Sequence, residues 1–440
     1  MHGRNKEKYK SRFQDPVASA AIAQKAKQMN LLTKELITRR SKLSPSSSSS
    51  ESRDEPNATS QAIATLQLTE KILSINPDPS HLWNHRRELL LALETTTTTS
   101  ASEASGMSIE KELKLTATCL QRNPKAYGAW AHRKYCIRHW LLSCDDGSSS
   151  EVRRTMLLNE LELCGEFLEA DERNFHCWNY RRFIVSALAL VAATKTQDVS
   201  TEVSSKLDLD GSWPSVASNS GTSDRHMGPQ LSTAGMKLSS PYSTAGTLDK
   251  ALIDGEWEFT TQKIQFNFSN YSAFHYRSKL LPLVLPPSSP TNKYAYGDVL
   301  ALAKSELEII QNAIFTEPDD QTSWWYHHFI IHWADPRRHS LAESSSSNDC
   351  GNAPWDDEYL AFLEEDASTV RELIDMEDGR CKWGLLGLHM LLIAILKLKD
   401  NRGEGTEDVK SEACGCLRTL EEIDPDRAKR YTALKAALGC

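Results

Sequence analysis

The chain has 440 residues, a formal net charge of -8 and 25% charged residues against 40% hydrophobic ones. That is ample for a large core, and it gives no broad electrostatic reason to bind nucleic acid. Ten cysteines in so long a chain do not make a disulfide scaffold, and their spacing follows no zinc pattern.

The N-terminus is charged from Arg4 to Arg12, and no apolar signal core follows it. The most apolar run, Leu385 to Leu398, contains His389 and Lys397 and is too short to span a bilayer. A cytoplasmic protein without stable membrane insertion is expected. Its thiols should then be reduced and structural, with Cys119, Cys136, Cys164 and Cys177 among apolar helical positions. Cys414-Gly415-Cys416 is too close a pair for a four-ligand zinc site. The sequons at Asn267 and Asn270 are expected to stay unmodified.

In chain order, a polar tail is followed by a predicted helix over Pro16 to Lys42, and Ser44 to Asn57 reads as a serine-rich linker. From Thr59 the pattern becomes helix, short turn, helix. The first pair carries Ile63, Leu66, Ile72 and Leu73, breaks at Asn76-Pro77-Asp78-Pro79, and resumes with Trp83, Arg86 and Arg87. A polar connection from Thr95 to Ser105 leads to the second pair, which turns at Asn123-Pro124. The third follows the connection Ser143 to Ser150 and turns at Asp171-Glu172. Thr196 to about Leu248 is rich in Ser, Thr and Gly and reads as a disordered insertion.

The fourth pair resumes at Trp257 and turns around Asn267, and Pro286 to Pro290 marks a loop. The fifth turns at Glu317-Pro318-Asp319-Asp320, and Ser344 to Pro354 is a further loop. A degenerate sixth pair carries Lys382-Trp383, and in a seventh Asp424-Pro425 precedes Tyr431. The organisation is therefore a tail, helix and linker over 1–58, repeats 1–3 over 59–195, the insertion over 196–248, and repeats 4–7 over 249–440.

These pairs share a skeleton. An acidic residue or proline is followed six positions later by an aromatic, usually Trp, and Arg stands three positions further on; Trp83, Trp130 and Trp178 lie 47 and 48 residues apart. A repeat of that period implies stacked helical hairpins, each burying its face against its neighbours. Trp83, Trp130, Trp178 and Trp324 are expected to be packing residues.

The residues ahead of each Trp sit at helix starts, where unpaired backbone donors favour anions. Lys125, Tyr127, His132 and Arg133 around the second turn, with Asn174 and His176 around the third, could converge on a phosphate or an acidic peptide. The same residues suit a solvated face or a protein interface. His132 and His139 could share a helical face, but no Cys or carboxylate completes a recognisable metal site, and no metal is assigned to this chain. No nucleophile motif or phosphate-binding glycine loop stands out.

Met1-His2-Gly3-Arg4, Asn123 to Trp130, Asp171 to Arg182, Asn267 to Leu281 and Asp424 to Ala428 together resemble the alpha subunits of protein prenyltransferases, within that family the Rab-type geranylgeranyltransferase branch. The resemblance implies an all-α, right-handed superhelical crescent of alpha-alpha hairpins wrapped around a separate beta subunit. It also implies that zinc, with Mg2+ as an accompanying candidate, belongs to the beta subunit and that this chain alone binds no cofactor. Geranylgeranyl diphosphate would be the co-substrate, and Rab GTPases presented by Rab escort protein would be the acceptors.

By the resemblance, Lys125 stands beside the diphosphate and Tyr127 lines the cleft. Asn174 and His176 face the lipid diphosphate, with Lys125 and His176 as the catalytic pair. His2 would reach toward the partner's zinc. Phe274 and His328 depart from the expected Trp and Arg, and Leu386 falls where Arg would stand. Two alternatives remain: an alpha subunit shared by farnesyltransferase and type I geranylgeranyltransferase, and a noncatalytic helical-repeat adaptor.

Overall fold

The computed structural model describes residues 15–43, 55–97, 109–143, 150–193, 250–285, 296–338 and 355–440. The expectations for Met1 to Arg4, for the insertion over 196–248, and for the loops at 286–290 and 344–354 lie outside them. No strand occurs among the described residues. The chain is an all-α helical repeat in two compact units, Met1–Gly211 and Ser212–Cys440.

The first unit opens with α1 (Pro16–Leu43) and continues in three hairpins: α2 (Glu55–Ile75) with α3 (Ser80–Thr97), α4 (Ile109–Arg122) with α5 (Tyr127–Ser143), and α6 (Ser150–Ala170) with α7 (Phe175–Ala193). The second contains α8 (Lys250–Phe266) with α9 (Tyr271–Val284), and α10 (Tyr296–Thr316) with α11 (Gln321–Trp333). Two more pairs follow, α12 (Asp356–Met376) with α13 (Lys382–Asn401) and α14 (Glu407–Ile423) with α15 (Ala428–Leu438).

Three helix boundaries differ from the sequence expectation. Glu55, Pro56 and Asn57 belong to α2 rather than to the linker, since proline is at ease in a first helical turn. The threonines through Thr97 extend α3, and α8 begins at Lys250, ahead of Trp257. Polar residues that read as connection are helical in the structure.

The spacing of the skeleton has a hydrogen-bond cause. Each repeat tryptophan donates its indole N–H to the carbonyl six residues before it: Trp83 to Pro77 at 2.9 Å, and Trp130 to Pro124, Trp178 to Glu172 and Trp324 to Pro318 at 2.8 Å. The aromatic thus closes its own interhelical turn. All four tryptophans are at most 5% exposed. Phe274 is fully buried too but has no donor to repeat the bond.

Gly128 shows how tightly the hairpins stack. A Cβ there would stand 2.9 Å from Nε1 of Trp83 in the preceding hairpin and closer still to its Cδ1. Trp83 is held at Pro77 and cannot retreat. Gly128→Ala is expected to cost about 1–3 kcal/mol by overpacking, read as a lowered urea midpoint.

The arginine three positions after the aromatic reaches the next hairpin. Arg86 pairs with Glu112, Arg133 with Glu160 and Arg277 with Glu306, through two bonds each of 2.6–2.7 Å. The remaining guanidinium nitrogen returns to its own hairpin, binding a carbonyl and a threonine: Leu66 and Thr69, Leu113 and Thr116, or Trp257 and Thr260. A side chain two positions after the aromatic completes the carboxylate from its own side, His132 on Glu112, Tyr180 on Glu160 and Tyr326 on Glu306. Each glutamate therefore staples two hairpins.

In the fifth hairpin the sequence reading put the missing arginine at His328. The structure puts it at His327, whose Nε2 meets Asp366 of α12 at 2.6 Å. A shorter side chain in place of arginine has been matched by a shorter carboxylate, and Ile310 occupies the position held elsewhere by the threonine.

Burial opposes ionisation of Glu112, but hydrogen bonds from His132 and Arg86 and the charge on Arg86 outweigh it and hold the carboxyl at about 2. Burial lowers His132 below its ordinary value. Both groups bind protons more readily unfolded than folded, so both contributions are lost on acidification. Stability is expected to decline below the unfolded histidine value of about 6.5 and again as pH falls from about 4.5 toward 2. Thermal melts between pH 8 and 3 test this, and a midpoint unchanged across that range would contradict it.

Cys119, Cys136, Cys164, Cys177, Cys381 and Cys416 are free and buried. The expectation of reduced thiols does not hold for Cys414, which forms a disulfide with Cys440 across Cα atoms 6.4 Å apart. The turn from α14 into α15 brings the chain back on itself, which the Cys414-Gly415-Cys416 spacing does not reveal. No helix among the described residues is long and apolar enough to cross a membrane.

Candidate functional site

The second and third turns are joined by one buried side chain. Asn174, 1% exposed, accepts from the amides of His176 and Cys177 at 3.2 and 3.3 Å and so caps α7. Its amide donates at 2.8 Å to the Pro124 carbonyl, which also receives the Trp130 indole. Asn174 is thus spent on the joint rather than offered to a ligand, as its capping position dictates. It fixes the start of α7 against the start of α5.

Around that joint the other three expected residues come together. Tyr127, 66% exposed, lies with its ring centroid 5.6 Å from that of His176. Lys125 precedes α5 on the same turn and places its Nζ 3.1 Å from Asp171, with over half of its side chain open to solvent. His132 and Arg133 do not join them, being buried in the staples.

Burial and the neighbouring charge of Lys125 both lower His176 below its ordinary value. It is therefore a neutral imidazole near pH 7, able to donate from one nitrogen and accept at the other. Sequence reasoning missed Phe175, which is 59% exposed and packs on His176 at 3.9 Å. It occupies the same helix-start position as Tyr127, three residues before the repeat tryptophan, and that register was the available signal. The resulting face carries the Lys125 ammonium, a neutral imidazole and two exposed aromatic rings. It can hold an anionic group beside an apolar chain.

Sequence reasoning also missed that His132 has a carboxylate within reach. Glu112, His132 and Cys136 present donor atoms within 4.8 Å of one another. They do not fit a metal ion, because Arg86 occupies both Glu112 oxygens at 2.7 Å and burial raises the Cys136 thiol to about 12.

The model of the protein prenyltransferase alpha subunit repeat matches residues 64–93, 109–140, 157–188 and 253–283, covering most of the α2/α3, α4/α5, α6/α7 and α8/α9 hairpins. The chain belongs to the protein prenyltransferase alpha-subunit family. It is 35% identical over 275 residues to the rat geranylgeranyl transferase type-2 subunit alpha, a match covering 62% of this chain and 34% of that relative. The chain thus spans about a third of the rat protein's length. Relatives of the same name from Candida albicans and Saccharomyces cerevisiae are 25% and 27% identical, over 83% and 85% of both partners. Within the family repeat, the α10/α11 hairpin keeps the same tryptophan bond and carboxylate staple beyond the matched residues.

Proposed function

We propose that this chain is the alpha subunit of a heterodimeric Rab-type geranylgeranyltransferase, active only with a beta subunit. The arrangement that carries the reading is the convergence of Lys125, Tyr127 and His176 on one exposed face, fixed by Asn174, in a chain similar to type-2 alpha subunits over most of the length of its fungal relatives. The reaction forms a thioether between a C-terminal Rab cysteine and C1 of geranylgeranyl diphosphate. The C1–oxygen bond breaks, diphosphate departs with the bonding pair, and the thiol gives up its proton.

As charge grows on the departing diphosphate, the Lys125 ammonium stabilises it from a distance its flexible stem can adjust. Neutral His176 donates a hydrogen bond to the same group, while Tyr127 and Phe175 form an apolar wall against the first part of the lipid. By the family resemblance, the zinc that would activate the thiol is assigned to the beta subunit. Rab escort protein presents the acceptor, and the work takes place in the cytoplasm.

The test is single-turnover lipid transfer by the heterodimer, offered Rab with escort protein or a short C-terminal cysteine peptide alone. Escort-dependent Rab modification is expected. Peptide modification alone would reassign the chain as a shared alpha subunit, and no transfer to either would leave a helical adaptor.

A further inference from the structure

Every hairpin turn from the first to the fourth uses the residue seven positions before its aromatic in the same local way. Asn76, Asn123, Asp171 and Asn267 each accept, through the side-chain oxygen, the amide two residues later at 2.9–3.3 Å. Asparagine does this in three of the four turns, so the turn itself does not require a charge. The third turn nonetheless carries a carboxylate. What the second oxygen does there is a separate matter from the turn.

That residue also reaches back to the preceding turn, to the side chain five positions before the aromatic. Asn123 donates to Asp78 at 2.6 Å, and Glu317 accepts from Ser269 at 3.4 Å. In the same place, Asp171 Oδ2 meets Lys125 Nζ at 3.1 Å. Of these three rungs, only this one holds its partner by opposite full charges, and its cation is Lys125. The pair is not buried, with the lysine side chain 56% and the aspartate 32% exposed. Beneath it, the bond from Asn174 to the Pro124 carbonyl keeps the two turns in register without help from the ion pair.

We propose that Asp171 is a positioning residue for Lys125: it holds the ammonium between the second and third turns in the free enzyme and competes with the incoming diphosphate for it. This rests on the functional reading above and adds to it the regulation of the lysine. A partly solvated ion pair is weak enough to be exchanged and strong enough to be measured. A diphosphate entering between α5 and α7 takes over the ammonium, and Asp171 is left to solvent at the rim. The carboxylate also disfavours any ligand whose negative charge cannot outbid it. Neutral lipids and monoanions gain less from Lys125 than a diphosphate does.

Asp171→Asn isolates the charge, because asparagine performs the turn bond in the neighbouring hairpins. The experiment titrates the assembled heterodimer with geranylgeranyl diphosphate, and separately with inorganic diphosphate, for wild type, Asp171→Asn, Lys125→Ala and the double variant. Asp171→Asn is expected to tighten diphosphate binding by roughly two- to fivefold, the range a partly exposed ion pair can supply. Lys125→Ala is expected to weaken it, and adding Asp171→Asn to that background should change nothing further. Asp171→Glu should restore affinity toward the wild-type value.

General damage to the turn cannot produce tighter binding, which separates positioning from structural support. Unchanged or weaker binding by Asp171→Asn, or an equal gain with and without Lys125, would overturn the proposal while leaving the functional reading intact. Failure of the wild-type heterodimer to bind geranylgeranyl diphosphate would instead remove the functional reading and the proposal with it.

Discussion

Arg133→Ala is expected to destabilise the first unit by about 3–5 kcal/mol, the cost of leaving a buried carboxylate without its cation. The guanidinium makes two bonds of 2.7 Å to Glu160, and its third nitrogen binds the Leu113 carbonyl at 2.6 Å and the Thr116 hydroxyl at 2.9 Å. Alanine removes all four at once. Glu160, with only 6% of its side chain exposed, would keep only the Tyr180 hydroxyl among these partners. A lost hydrogen bond between neutral groups costs far less than an uncompensated charge. Replacing Arg133 and Glu160 together by Met should recover much of the loss, since the charge to be compensated is gone. Urea unfolding of the three proteins measures this, and a loss below about 1 kcal/mol for Arg133→Ala would refute the staple.

Lys125→Ala should behave in the opposite way. Transfer is expected to fall about 100-fold, comparable to removing one preorganised donor from developing negative charge, while the unfolding midpoint barely moves. The stability side follows from exposure: its ion pair to Asp171 is partly solvated and contributes at most about 1 kcal/mol. Single-turnover rates at saturating lipid separate chemistry from binding. Full-speed transfer by the variant would remove Lys125 from the reaction, whatever its effect on affinity.

The contrast between these two residues explains how much could be read from the sequence. The tryptophan and the residue six before it were visible because the bond joining them lies within one hairpin, so its spacing is rigid. The arginine was visible too, but its carboxylate was not. Glu112, Glu160 and Glu306 lie 26, 27 and 29 residues beyond their arginines, across connections of different length. No fixed spacing survives that variation. The same cause hid the paired change to His327 and Asp366, which shows itself only where α11 meets α12.

The site divides along the same line. Lys125, Tyr127 and His176 were chosen as helix-start residues on neighbouring turns, and the fold gathers them on one face. Asn174 was read as facing the lipid diphosphate by the family resemblance and as a residue of the third helix start beside His176. A capping side chain points back into its own turn, and Asn174 does so, with its amide crossing to Pro124. Phe175 went unread because a phenylalanine at a helix start suggests core packing, whereas its exposure belongs to the register it shares with Tyr127. Asp171 was counted as a turn former, and only its distance to Lys125 reveals a second role.

The most direct test is photo-crosslinking of the assembled heterodimer with a geranylgeranyl diphosphate analogue whose reactive group sits next to the diphosphate. Labelled peptides from this chain are expected to cover Asn123 to Trp130 and Asp171 to Trp178, and excess unlabelled geranylgeranyl diphosphate should suppress them. Labelling confined to the beta subunit, or to any other part of this chain, would contradict the assignment of the second and third turns as the diphosphate face.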